Sequence, residues 1–442
     1  MRDFKTKMIF LEGVLFICII GLVFGFGIIW QRILENNRED RLFPDHGVPR
    51  VNIDLNGVEL ETIKNGSKDI KYDGNKIRII EGKNKNNYDN VTLKGRGNGT
   101  WVQDKKPFQI KFEDKVDLFG MGKARKWYLL ANNLDSTHLR NKAAAKIEKM
   151  LEMEYVIDSR YIELYVNEEY EGLYYLTPAM EIGKNSVDLR DENGVLVELD
   201  NIYGSVEEYY LTSSGDYLTI KDMVNWDNKN DVMSNFLDSY NRLESAINEK
   251  KFNEIQALID VDSWAKYYLL SEFIVNPDAY WTSFYLYKDG LDDKIHAGPG
   301  WDFDLAFANK MWGNWMGSIF YSPTETMIRK QELLLRDSKD VSLDESDYIW
   351  SSPLSTVIFN LMEISDFKER VIELYQRYLS GRREELISEI IVNANYIRDG
   401  AVIDNKKWNK DDFDDDLKEV IDWINKRYDH FEVEYSVYSL NE

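Results

Sequence analysis

The sequence predicts an α+β protein of two lobes, a sheet-rich N-terminal lobe and a helical C-terminal lobe, preceded by one transmembrane helix. Three observations carry that reading. From Val48 to about Phe112, apolar residues alternate in short runs broken by Asn-Gly, Asp-Gly and Asn/Lys-rich turns, the period-2 signature of antiparallel strands. From about Asp231 the apolar spacing becomes helical. Ahead of both, Met8 to Trp30 is an apolar run long enough to cross a bilayer.

Residues 1–7, with Arg2, Lys5 and Lys7, read as a cytoplasmic stub and residues 8–30 as a transmembrane signal-anchor. Gly13 to Trp30 carries no charge, Glu12 sits at the N-terminal boundary, and no small-residue cleavage site follows. Arg32, Arg38 and Arg41 beyond the span nearly match the cations before it, which leaves the positive-inside bias almost flat. The convention for signal-anchors and the lack of a stop-transfer cluster then give a single-pass cell-membrane protein whose C-terminal part lies outside the cytoplasm. Residues 31–46 are polar and read as a linker. Residues 47–230 are assigned to the sheet-rich lobe and 231–442 to the helical lobe.

Within the first lobe, Val51–Leu55, Lys76–Ile80 and Asn90–Lys94 read as strands, and Asn98–Trp101 followed by Lys106–Phe112 continues the sheet. Phe108, Ile110 and Phe112 share one face, Gln109 and Lys111 the other. Leu139–Leu151 is a helix, led by Asp135, Ser136 and Thr137 as cap candidates. Strands return at Arg160–Val166, Gly172–Leu176 and Gly194–Leu199. In the second lobe, Asn235–Asn248, Phe252–Ile259 and Asp262–Val275 are helical, a hairpin occupies 276–309, helices resume from about Ser355 to Arg398, and Asp412–Tyr435 closes the chain.

Composition narrows the function. A net charge of −23 over 442 residues argues against nonspecific nucleic-acid binding, which needs a surplus of lysine and arginine. One cysteine, Cys18, leaves no disulfide framework and no Cys-based zinc site. His46, His138, His296 and His430 are scattered, so a metal would be held by oxygens, which favours magnesium, manganese or calcium.

Such oxygens lie in Gly298-Pro-Gly-Trp-Asp-Phe-Asp-Leu-Ala-Phe-Ala-Asn309. Asp302 and Asp304 alternate, so on a strand or tight turn they face one side and repel unless a cation lies between them. Asp278 precedes Asp302 by 24 residues, Ser283 follows Asp278 by five, and a strand-like Ser-Phe-Tyr-Leu-Tyr plus a turn separates the two acids. That spacing is the layout of a kinase catalytic centre: a base aspartate, a polar metal ligand, a hairpin, then a metal-binding aspartate. A buried acidic turn capped by backbone amides gives the same pattern. Gly95-Arg-Gly-Asn-Gly-Thr-Trp101 can bring backbone amides close to phosphate oxygens or can be a bulged hairpin. Arg96 within it, and Lys106 or Lys111 after it, offer counter-charge for a triphosphate; on an unbroken strand the two lysines fall on opposite faces, so only one would point inward. Arg140, Asn141, Lys142 and Glu148 on the following helix are candidates to orient that lysine. Glu198 and Asp200 read as a solvated strand end.

Taken together, residues 95–101, 106–112, Trp127–Asn141, Tyr170–Thr177, Asn276–Ala279 and 298–307 resemble the spore-coat CotH kinase family, in order, over roughly residues 48 to 435. The resemblance implies an atypical, reduced protein-kinase-like fold that uses ATP and a divalent metal, Mg2+ or Mn2+, to phosphorylate serine-rich coat proteins. It puts Asp278 in the place of the catalytic-loop aspartate, Asp302 in that of the metal-binding aspartate and Lys106 or Lys111 at the phosphates. Ser283 stands where some members carry a metal-ligating asparagine, and Leu176-Thr-Pro178 where members often have Leu-Thr-Glu. The expected activity is a membrane-anchored phosphotransferase acting on a coat or envelope protein, with Ser283 or Asp304 helping Asp302 hold the metal. The alternative is a non-catalytic cell-surface scaffold that binds an envelope partner through some of its 12 Trp and 27 Tyr residues.

Overall fold

The computed structural model describes residues 38, 41–201, 204, 208–276, 278–307, 309 and 357–436. The expected membrane segment at 8–30 lies outside them; among the described residues no helix is long and apolar enough to cross a membrane.

The sheet-rich half is a closed barrel. Its strands are β1 (Arg50–Asp54), β2 (Tyr72–Glu81), β3 (Asn84–Gly95), β4 (Phe108–Asp117), β5 (Lys123–Leu130), β6 (Arg160–Val166) and β7 (Glu169–Pro178). They run in the order β1-β2-β3-β4-β5-β7-β6, and a parallel pairing of β1 with β6 shuts the ring. Alternation dictates the filling: Val51 and Ile53, Val91 and Leu93, Phe108, Ile110 and Phe112 point inward to one apolar cluster with Trp127. Closure leaves no free strand edge, which an open sheet would have to protect.

Two local readings change. Asn98–Trp101 is not a strand; Gly99–Val102 forms a 3-10 turn instead. Gly95 lets this happen, since a Cβ there would lie 2.5 Å from the Trp101 ring, and Gly97 adopts φ +76°. Lys106 falls before β4 begins, and its ammonium donates to the Trp101 carbonyl at 2.7 Å. The strand β5, with the later β9 and β10, adds sheet that the alternation pattern leaves unmarked.

A second, antiparallel sheet has the order β12-β11-β8-β10-β9. Its members are β8 (Gly194–Leu199), β9 (Tyr209–Leu211), β10 (Tyr217–Met223), β11 (Phe284–Asp289) and β12 (His296–Ala297). It therefore draws strands from both sides of residue 230. Between them come the helices α3 (Lys229–Asn248), α4 (Phe252–Leu258) and α5 (Val261–Ile274), after the earlier α1 (Leu60–Lys64) and α2 (Arg140–Met150). The rest of the described chain is helical: α6 (Val357–Leu361), α7 (Ser365–Tyr378), α8 (Arg383–Lys407) and α9 (Phe413–Ser436). The largest apolar cluster joins α2, β8 and these helices, so α2 packs between the barrel and the helical half.

A buried ionic seam fastens α8 to the barrel. Asp404 accepts from the Leu173 amide at 2.8 Å and meets Lys105 at 2.6 Å, Lys410 at 3.0 Å and the His138 ring at 3.2 Å. Burial opposes its charge, yet Lys105, Lys410 and His138 together hold its carboxyl well below the usual range. Burial, reinforced by Lys410, lowers the His138 imidazole to about 4.

Candidate active site

The end of α5 sets the first acid. Val275 closes the helix in the left-handed region at φ +49°, a costly conformation for a β-branched residue. The chain then turns through Asp278, whose carbonyl accepts from the Trp281 and Thr282 amides at 3.1 Å. Ser283, also left-handed at φ +54°, leads into β11. The hairpin pairs Leu286 with Ala297 and Tyr287 with His296, and so brings the following segment back beside the start of β11. There Asp302 sits at φ +64°, followed by Asp304 in a turn.

Asp278, Ser283, Asp302, Asp304 and Arg96 line one cleft of about 540 Å³. The glycine loop, Gly97 to Thr100, forms part of its wall. The Arg96 guanidinium lies 4.3 Å from the centre of the Tyr128 ring and 5.8 Å from that of Trp301, so two aromatic faces fix its position. Lys106 and Lys111 are not among the lining residues. Lys106 is committed to the Trp101 carbonyl, and Lys111, opposite the inward Phe108, Ile110 and Phe112, is exposed on the outer face of β4. The cleft draws other lysines. Lys68 donates to the Gly97 carbonyl at 2.8 Å, and Lys221 on β10 pairs with Glu198 at 2.6 Å. No local motif marks either lysine, because each reaches the cleft from a strand or loop distant in sequence. Glu198 and Asp200, expected as a solvated strand end, are buried and line the cleft, with Thr282 donating to Asp200 at 2.8 Å.

The helix α2 does not orient a lysine. Its Glu148 carboxylate accepts from the Gly300 amide at 2.8 Å, Asn141 Oδ1 accepts from the Phe303 amide at 3.0 Å, and Arg140 Nε donates to the Ala306 carbonyl at 2.9 Å. Asp135, expected as a cap, accepts from the Arg140 amide at 2.9 Å and also pairs with its guanidinium.

Charge in the cleft is poorly balanced. Burial raises the Asp302 carboxyl, with Arg96 opposing the rise. Burial pushes Asp304 well above the carboxylate range, and repulsion from Asp302, Asp278 and Asp135 adds to it while Arg140 opposes. Buried carboxyls gathered in this way, one of them raised further by its neighbours, form a donor set of hard oxygens suited to magnesium or manganese. Among the described residues no group of three or more His, Cys, Asp or Glu side chains is arranged to hold a metal ion by itself. Hydroxyls such as Ser283, substrate oxygens and water would have to complete a coordination shell.

No curated protein matches the chain. The family described as CotH kinase protein matches residues 93–431, which span the glycine loop, both acidic turns and the helical half. With most of its length covered by that match, the chain belongs to the CotH kinase family.

Proposed function

We propose that the protein is an ATP- and metal-dependent phosphotransferase, a kinase acting on serine or threonine hydroxyls of a coat or envelope protein. In this reading residues 8–30 anchor it in the cell membrane with the folded part outside the cytoplasm. The observation that carries the proposal is the gathering of Asp278, Asp302, Asp304 and Arg96 around one cleft walled by a glycine loop, in a chain of a kinase-like family.

The roles follow from charge and position. Arg96 and Lys68, beside the glycine loop, and Lys221 across the cleft would neutralise the triphosphate of ATP. Asp302 and Asp304, with Ser283, would hold Mg2+ or Mn2+, which when bound supplies charge neutralisation across the phosphate oxygens. Asp278 would orient the acceptor hydroxyl and take its proton as the oxygen attacks the γ-phosphorus and the bond to the β-phosphate breaks. The rate would come from positioning and electrostatics.

Thermal unfolding with ATP and Mg2+ tests this directly. The wild type should be stabilised, by about 2.7 kcal/mol at a hundredfold excess of nucleotide over its Kd. Asp302→Ala should lose that stabilisation. Asp278→Asn should keep it and lose transfer of labelled phosphate from ATP. A wild type indifferent to nucleotide would favour the scaffold reading.

A further inference from the structure

The acidic turn is held in an uphill conformation. Asp302 and Phe307 both take positive φ, at +64° and +53°, in a segment without the ladder hydrogen bonds of a strand. Such a turn keeps one shape only where its surroundings fix it. The Phe307 amide donates to the Ile274 carbonyl at 2.8 Å and Asn309 donates to the Asp304 carbonyl at 2.7 Å, while three bonds from α2 hold Gly300, Phe303 and Ala306, on both sides of Asp302 and Asp304. The Glu148 bond depends on close approach. A Cβ on Gly300 would fall 2.6 Å from the Glu148 carboxylate oxygen and 2.5 Å from the Phe303 ring, so only glycine admits this contact. Asn141 is the member that also lines the cleft, and its amide nitrogen faces Asn132, another lining residue, at 3.5 Å.

We propose that Asn141 is a positioning residue for Asp302, with Glu148 as its second anchor. By accepting the Phe303 amide, Asn141 fixes the left-handed turn at Asp302 and keeps that carboxylate directed into the cleft. Glu148 fixes the entry to the turn through Gly300. The helix that follows the glycine-loop strands therefore acts on the acidic side of the site and not through a phosphate-binding lysine. The inference rests on the phosphotransferase reading for its consequence, but the hold on the turn can be measured without it.

The experiment combines two readouts on the full chain. Amide hydrogen exchange over residues 298–307 reports the hold itself. Titration with Mn2+ in the presence of ATP, followed calorimetrically, reports its consequence. Asn141→Ala should speed exchange in that segment and weaken Mn2+–ATP binding roughly 10- to 100-fold, as loss of an outer-shell partner does at metal sites. Asn141→Asp keeps the accepting oxygen and should retain the slow exchange. Burial pushes the Glu148 carboxyl up to about 8, so Glu148→Gln, which keeps a carbonyl acceptor for Gly300, should behave as the wild type in both readouts near neutral pH. Unchanged exchange in Asn141→Ala, or unchanged Mn2+–ATP affinity alongside faster exchange, would overturn the assignment. A wild type that binds no Mn2+–ATP, with faster exchange in Asn141→Ala, would sink the phosphotransferase reading and still support Asn141 as the residue that holds the turn.

Discussion

Asp404 and Asp304 are both buried aspartates, and the protein treats them in opposite ways. Asp404, in the seam between α8 and the barrel, is ringed by Lys105, Lys410 and His138 and stays well below the carboxylate range. Asp304, in the cleft, is pushed well above it by burial, and Asp302, Asp278 and Asp135 add to the rise. The first arrangement satisfies a buried charge and joins two parts of the fold. The second leaves like charges together, which costs stability and makes sense where a cation or a transferring phosphate is to complete the balance. Charge that is neutralised inside the molecule marks architecture; charge left over in a cleft marks a site.

Four changes would break or sharpen that contrast. The largest effect belongs to the seam: Asp404→Asn leaves Lys105 and Lys410 buried without their counter-charge and should destabilise the protein by about 3–5 kcal/mol in denaturant unfolding. The next is pH. The folded His138 imidazole, near 4, lies below its ordinary value of about 6.5, so the unfolded chain binds the extra proton between them. The His138 contribution is fully present above about pH 6.5 and is lost as the pH falls toward 4, by up to about 3 kcal/mol. A His138→Gln variant should flatten the pH dependence of the unfolding midpoint over that window. At the cleft the sign reverses: at pH values where Asp304 is ionised, Asp304→Asn removes a buried charge beside Asp302 and should stabilise the ligand-free protein by about 0.5–2 kcal/mol while weakening Mn2+–ATP binding. A loss of stability there would mean that Asp304 is satisfied as Asp404 is. Smallest of all, Lys111→Ala on the exposed face of β4 should change unfolding and nucleotide binding by less than about 0.5 kcal/mol.

Sequence pattern showed those features whose cause is local. The inward row Phe108, Ile110 and Phe112 follows from alternation alone, and the acidic turns at 278 and 302 stand out because carboxylates interrupt aromatic stretches. β5 escaped because its inward residues, Ala124 and then Trp127, break the two-residue period opposite a register shift between Lys111 and Val116. β10 carries a similar irregularity between Ile220 and Asp222. The cleft lysines lie beyond local pattern for a different reason. Lys106 and Lys111 were near the glycine loop in sequence, but β4 starts only at Phe108, and tertiary packing brought Lys68 and Lys221 instead. Asn141 and Glu148 could be named as candidates on their helix, but their partner was a backbone segment about 160 residues away, which no local pattern encodes.

The parallel pairing of β1 with β6 has a consequence for how the chain is made. Arg50 sits opposite Glu163, so β1, made well before β6, waits for it before gaining its second neighbour. Until then the growing sheet has two open flanks, and loop-closure entropy delays the union further. A chain arrested or clipped before Val166 would expose both flanks at once and be prone to stick to its neighbours. The same ring that leaves the finished barrel without a vulnerable edge makes its assembly the step at which nascent chains depend most on protection.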